Sequence, residues 1–201
     1  YIVAWSRQKL EVVVMQYDDE FLFEKHFNHD EIFNQSVDSA YNELAVMFLS
    51  ELSKSLLKDR LARQFPDLIT FAYFCRKSNL LNFKQMHLDD SFESNRFGWG
   101  VCLHITPANI PMNFAFSFIM GLLSGNNNIV RLPSTKFEQI NIFLGHFNRV
   151  VGIDSFKSLG KKNIFVRTKR DSNNLINLVS QVSALVVWGG NSTVNKFRHF
   201  D

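Results

Sequence analysis

Residues 104–134 read HITPANIPMNFAFSFIMGLLSGNNNIVRLPS, and two side chains there are suited to chemistry. Asn109 follows an apolar run and lies between Pro107 and Pro111. An amide at the end of a strand donates hydrogen bonds to an oxygen that gains negative charge, which is what an oxyanion hole requires. The same residue type also fixes turns through its own backbone, and position alone leaves both roles open. Arg131 stands near the carboxyl end of a second apolar run. Its guanidinium suits a ribose hydroxyl or a phosphate in a cleft, or equally a salt bridge at an edge. Farther on, Trp188-Gly189-Gly190-Asn191 joins an apolar run to a helix start. Glycines let a phosphate approach the backbone, and a helix N-terminus supplies free N–H groups and positive potential.

Other reactive residue types carry less. The chain holds no G-x-G-x-x-G and no Walker-type motif, so neither common nucleotide fingerprint applies. Cys75 falls in an expected helix and Cys102 in an expected strand, where a thiol packs rather than reacts. The two form no metal spacing and no disulfide framework, which points to a reducing, cytoplasmic setting. His104, also in an expected strand, reads as structural. Lys161, Lys162, Arg167, Lys169 and Arg170 read as a solvated surface. No serine, histidine and acid arrangement is visible from spacing.

The elements that must position these residues change character near Gly98. Before it, apolar stretches 10–15 and 21–23 flank an Asp-Asp turn signal and suggest a hairpin. Ile32, Phe33, Val37, Ala40, Tyr41, Leu44, Phe48, Leu52 and Leu56 recur at helical spacing and predict one long amphipathic helix. Another helix is expected over 66–86, with Pro66 in its first turn. After Gly98 the rhythm is strand and helix in alternation. Strands are expected over 99–106, 128–132, 163–167 and 184–188. Helices are expected over 111–123, 135–150 and 171–182, with a last one from about Ser192. Thr135 and Glu138 have the spacing of a capping box, Asp171 is a good N-cap, and Gly125 ends a helix. This alternation predicts an α/β fold, a parallel Rossmann-like sheet with helices on both faces, preceded by an N-terminal helical segment. Ligands of such sheets bind beyond the carboxyl ends of the strands, here loops 107–111, 133–135, 168–171 and 189–192.

Composition sets the outer bounds. The chain has 201 residues, 46% hydrophobic and 20% charged, with a net charge of +3 and 21 phenylalanines. That is an ordinary globular composition with too little charge to argue for nucleic acid or a membrane surface. The longest apolar run, 114–123, is too short to span a bilayer. The chain opens on tyrosine without a signal-peptide pattern and closes on FRHFD, so a fragment of a longer protein is expected.

Taken in order, GWGVCLHITPANIPMNFAFSFIMGLLSGNNNIVRLPS and ALVVWGGNSTVNKF resemble the acyl-CoA reductase (LuxC) family of the aldehyde dehydrogenase superfamily. Pro107-Ala108-Asn109 resembles the superfamily's Pro-Trp-Asn, whose asparagine lines the oxyanion hole, which implies that role for Asn109. Leu122–Asn126 resembles the Leu-Ala-Ala-Gly-Asn before the second cofactor-domain strand. Arg131 stands where most members have a lysine that touches the adenosine ribose, and Pro133 follows one residue later than usual. Trp188-Gly189-Gly190-Asn191 stands at the Phe-Thr-Gly-Ser turn beside the cofactor pyrophosphate, with Asn191 replacing serine. The resemblance therefore implies cofactor contacts from Thr106, Pro107, Arg131, Pro133, Ser134, Gly189, Gly190 and Asn191. It makes the Gly-Asn break and Arg131 the start of the cofactor cleft.

The implied activity is NADPH-dependent reduction of a long-chain acyl thioester to a fatty aldehyde through a cysteine acyl-enzyme. The charge and donor fork of Arg131 favour NADP(H) over NAD(H). The superfamily's nucleophilic cysteine lies downstream of the Phe-Thr-Gly-Ser turn, and neither Cys75 nor Cys102 occupies its place. The expected organisation is thus an N-terminal hairpin and helices over 1–97, then an incomplete cofactor-binding domain over 98–201 without the catalytic domain. Expected partners are acyl-CoA or an acyl-carrier protein, with no nucleic acid and no membrane span, and a homo-oligomer is compatible. Alternatives are another superfamily oxidoreductase, such as an aldehyde dehydrogenase or a glutamyl-phosphate reductase, and a non-catalytic nucleotide-binding module.

Overall fold

A computed structural model describes residues 2–6, 20–21, 30–88, 96–168 and 173–198. Four strands form the centre: β3 (Val101–Ile105), β4 (Asn127–Arg131), β5 (Asn163–Arg167) and β6 (Ala184–Trp188). They run parallel in the order β6-β3-β4-β5. Two antiparallel edges complete a six-stranded sheet, with β1 (Ile2–Ser6) on β6 and β2 (Glu20–Phe21) on β5. Strands β3 and β4 are buried along their whole length, as central strands with both faces covered must be. The expected α/β fold with a parallel sheet is what the chain adopts.

Side chains alternate between the faces. On one face, Val130, Leu132 and Phe165 pack under α5 (Asn113–Leu123) and α6 (Glu138–Val151). The N-terminal helices α2 (Glu43–Lys58), α3 (Pro66–Phe74) and α4 (Lys77–His87) join the same core. On the other face, Leu103, Ile105, Ile129, Val166 and Val187 pack against α1 (Asp30–Phe33), α8 (Asn173–Gln181) and α9 (Asn191–Arg198). Between α6 and β5 lies α7 (Lys157–Lys162). Phenylalanines fill the first core with edge-to-face pairs, such as Phe114 on Phe143 and Phe147 on Phe165. Among the described residues no helix is long and apolar enough to cross a membrane.

Helix α5 ends as its sequence predicts. Gly125 has φ +82, the Gly125 N–H donates to Leu122 O at 3.0 Å, and the Asn126 N–H donates to Gly121 O at 3.1 Å. Those two bonds are the Schellman stop, which needs a residue in the left-handed region.

Several expectations need correction. The single helix over 32–56 is two, α1 and α2. Residues 34–42 break it, with Tyr41 at φ 52 and the Asn42 side chain accepting from the Ala45 N–H as the N-cap of α2. The intervening chain is held elsewhere, since the Asp38 N–H donates to Gly125 O and the Gly98 N–H to Asp38 O. The helix over 66–86 also divides, into α3 and α4, at Cys75 and Arg76. Asn79 Nδ2 donates to Tyr73 O there and satisfies an end carbonyl of α3. Pro66 does open α3. The capping box of Thr135 and Glu138 does not form, because α6 begins at Glu138 behind Phe137, which makes no side-chain cap. The hairpin expectation over 10–15 and most of 21–23 lies outside the described residues, as does Asp171.

Candidate functional site

The sheet register decides which loops meet. Ile105 pairs with Arg131 on one side and with Val187 on the other, all in parallel strands. The loop carrying Asn109, the loop carrying Pro133 and Ser134, and the Gly189-Gly190 turn therefore leave the same edge of the sheet. Asn109 is exposed in a bend between the half-buried Pro107 and Pro111. Ser134 is exposed and Pro133 buried.

Thr106 and Arg131 lie at the roots of these loops. Thr106 is fully buried, and its Oγ1 donates to Arg131 O at 2.7 Å. Arg131 is 2% exposed. Its Nε donates to Thr168 O at 3.0 Å and its Nη1 to Thr106 O at 3.5 Å. Arg167 Nη1 donates to Pro133 O at 3.0 Å. The fork that the sequence directs at a ribose or phosphate thus turns Nε and Nη1 onto backbone carbonyls, and it ties together the roots of the loops after β3, β4 and β5.

The Gly189-Gly190 turn is different, because it is open. A Cβ added at Gly190 would meet nothing within 4 Å, so the backbone there faces free space at the start of α9. At Gly189 a Cβ would stand 2.9 Å from Thr193 Cβ, so the turn itself needs glycine. The Thr193 and Val194 N–H groups already donate to Gly190 O, leaving the earlier N–H groups of the helix pointing outward. Here the backbone of Gly189, Gly190 and Asn191 could hold phosphate groups of a bound dinucleotide.

Gly-Asn-Asn-Asn does not belong to that edge, which corrects the expectation that it begins the cleft. It runs into the first two residues of β4, at the amino end of the strands, and each asparagine is a tie. Asn126 Oδ1 accepts from the Trp99 N–H at 2.7 Å, and Asn127 Nδ2 donates to Gln35 O at 2.9 Å. Asn128 Nδ2 donates to Asn126 O at 2.9 Å and to Asn163 Oδ1 at 2.7 Å.

That last bond is part of a buried polar chain that sequence reading misses. Because Asn128 Nδ2 faces a carbonyl, its Oδ1 accepts from His104 Nε2 at 3.0 Å. His104 Nδ1 must then accept from Ser117 Oγ at 2.7 Å, and Ser117 Oγ accepts from Trp188 Nε1 at 2.9 Å. At the far end Asn163 Nδ2 donates to Leu159 O at 2.8 Å. Every member is satisfied in one direction, and His104 stays neutral. Its complete burial pulls its pKa down to about 4, against the opposing pull of the Asn128 bond. Gly121 makes room for this chain, since a Cβ there would overlap Asn128 Oδ1 and stand 2.8 Å from His104 Nε2. The signal in the sequence is a run of polar residues at strand and helix positions that pattern alone assigns to the core. His104 is structural, as expected.

A serine, a histidine and an acid also meet, from positions too far apart to read by spacing. His146 Nε2 lies 2.7 Å from Asp59 Oδ2 and its Nδ1 2.7 Å from Ser55 Oγ. The His146 bond, with the Leu61 N–H, holds the Asp59 carboxyl below the usual range. Asp59 Oδ1 accepts that Leu61 N–H at 2.7 Å, so the trio fastens the end of α2 to α6.

Neither cysteine stands at the open edge. Both are free and buried, and burial pushes the Cys102 thiol up to about 12 and Cys75 well above its usual value. The basic cluster is only partly a solvated surface. Lys162 is largely buried and pairs with Asp38 at 2.9 Å, while Lys161 pairs with Glu31 at 2.7 Å. Lys169 and Arg170 lie outside the described residues.

No curated protein matches the chain. The family model described as Acyl-CoA reductase (LuxC) matches residues 13–199, nearly the whole of this chain. With a parallel α/β sheet, an exposed asparagine after β3 and an open glycine turn after β6, the chain belongs to the acyl-CoA reductase (LuxC) family.

Proposed function

We propose that the intact protein reduces a long-chain acyl thioester, carried by coenzyme A or an acyl-carrier protein, to a fatty aldehyde. The observation that supports this best is the register that sets Ile105 beside both Arg131 and Val187. It brings the Asn109 loop and the Gly189-Gly190 turn to one edge in a member of this family.

In this reading a cysteine thiolate attacks the thioester carbonyl, and the Asn109 amide donates to the oxygen as it becomes negative. The carbonyl re-forms, the carrier thiolate leaves, and the acyl group remains on the cysteine. A bound nicotinamide dinucleotide supplies the hydride for the second half. Asn109 steadies the oxyanion again, and its collapse releases the aldehyde and restores the thiolate. Cys75 and Cys102 are too buried and too weakly acidic for the task, so the nucleophile comes from outside residues 1–201. These residues alone are then inactive as a reductase.

NADP(H) is the proposed cofactor. The support is the positive charge of Arg131 at this edge, not a free fork, since Nε and Nη1 serve carbonyls. Two free thiols fit a reducing, cytoplasmic setting. Consumption of NADPH by the intact protein with a long-chain acyl-CoA, with aldehyde as product, tests the proposal. Consumption without aldehyde, or none at all, contradicts it.

A further inference from the structure

We propose that the groove between α5 and β6 takes the hydrocarbon tail of the acyl substrate. It has a volume of about 330 Å³, and Phe97, Trp99, Cys102, Met120, Val186 and Trp188 supply its apolar lining. Trp99 is 64% exposed and Met120 50%.

Three features select a hydrocarbon chain. The first is the floor, where His104 and Ser117 lie buried with their hydrogen bonds already made. Ser117 Oγ accepts from Trp188 and donates to His104, and His104 Nε2 donates to Asn128. A polar ligand finds no partner at that floor, since the groove's other polar lining, Ser124 and Asn126, lies at its amino end. The second is size. The volume lies at the low end of small-ligand pockets, roughly 300–1,000 Å³. The third is direction. The groove runs from Trp99, before β3, to Trp188, which directly precedes Gly189 and lies one residue past the Ile105–Val187 pair. A tail lying along β3 and β6 thus has its functional end at the edge that presents Asn109.

The groove itself stands on the structure, while naming its ligand rests on the acyl-reductase reading. The test uses the intact protein, with octanoate, decanoate, dodecanoate and tetradecanoate as binding probes in calorimetry and coenzyme A alone as a control. Affinity should rise roughly four-fold per added methylene until the groove is full. Met120→Glu, at an exposed rim position, should weaken dodecanoate at least ten-fold while leaving coenzyme A binding and the thermal midpoint unchanged. Val186→Phe, which fills the groove without charge, should shorten the longest chain accepted. Affinity independent of chain length, or both variants binding as wild type, overturns the proposal. So does a Met120→Glu protein that dissociates in sedimentation yet binds dodecanoate normally, because the groove is then a contact between copies. Acyl-CoA reduction with unaltered chain-length preference in both variants retains the reductase reading and removes the groove. Chain-length-dependent binding without NADPH consumption on any acyl-CoA does the reverse.

Discussion

Thr106 and Arg131 hold each other: Thr106 Oγ1 donates to Arg131 O at 2.7 Å, and Arg131 Nη1 donates back to Thr106 O at 3.5 Å. The pair joins β3 to β4 where the chain leaves the sheet for the Asn109 loop. The guanidinium extends the tie to Thr168 O. Truncating Arg131 removes hydrogen bonds to buried carbonyls, each worth about 1–3 kcal/mol. Arg131→Ala should therefore lower the unfolding free energy by about 2–4 kcal/mol in denaturant titration. A loss below about 0.5 kcal/mol, with weakened NADPH binding instead, would return Arg131 to the role of a direct cofactor contact.

Gly121 offers a test of the buried polar chain. A Cβ at this position cannot coexist with Asn128 Oδ1 and His104 Nε2 where they stand. Helix propensity alone favours alanine over glycine, by about 1 kcal/mol. Gly121→Ala should nonetheless destabilise the protein by about 1–3 kcal/mol, because overpacking and broken hydrogen bonds outweigh that gain. A stabilised Gly121→Ala protein would mean that α5 has room to move away from the sheet.

His104 makes stability depend on pH. Its pKa is about 4 when folded, against 6.5 as its ordinary value. Between those values the unfolded chain binds the proton and the folded one does not, so stability rises with pH across that window. The contribution is complete above about pH 6.5 and is lost as pH falls towards 4, on the order of 3 kcal/mol in all. Denaturant titrations at pH 7 and 4.5 on wild type and His104→Asn measure it. The variant should lose less stability on acidification than wild type, and equal losses would show that His104 is not held neutral.

The fold was legible because central parallel strands are continuous apolar runs, and 163–167 and 184–188 are read to the residue. Gly125 was legible as a stop because few other residues tolerate its φ. The helix breaks at 34–42 and at Cys75 were not, since apolar spacing continues across both. The first break is tertiary, Asp38 bonding to Gly125, and the second is closed locally by Asn79 bonding back to Tyr73. At the site, the strand–loop pattern located the carboxyl edge. It could not show which way Arg131 turns, since a guanidinium at a strand end serves a ligand or a carbonyl with equal chemistry. The chain from Trp188 to Asn163 was invisible for a related reason. Its members come from four strands and a helix, and a hydrogen-bonded core residue looks in sequence like any polar interruption.

The direct test of the account is NADPH oxidation, with the aldehyde product identified, by the intact protein on a long-chain acyl-CoA, comparing wild type with Asn109→Ala. The account predicts turnover by wild type and a loss of roughly two to three orders of magnitude in kcat for the variant, the usual effect of removing one oxyanion donor, with NADPH affinity little changed. Equal turnover by the two proteins would contradict it.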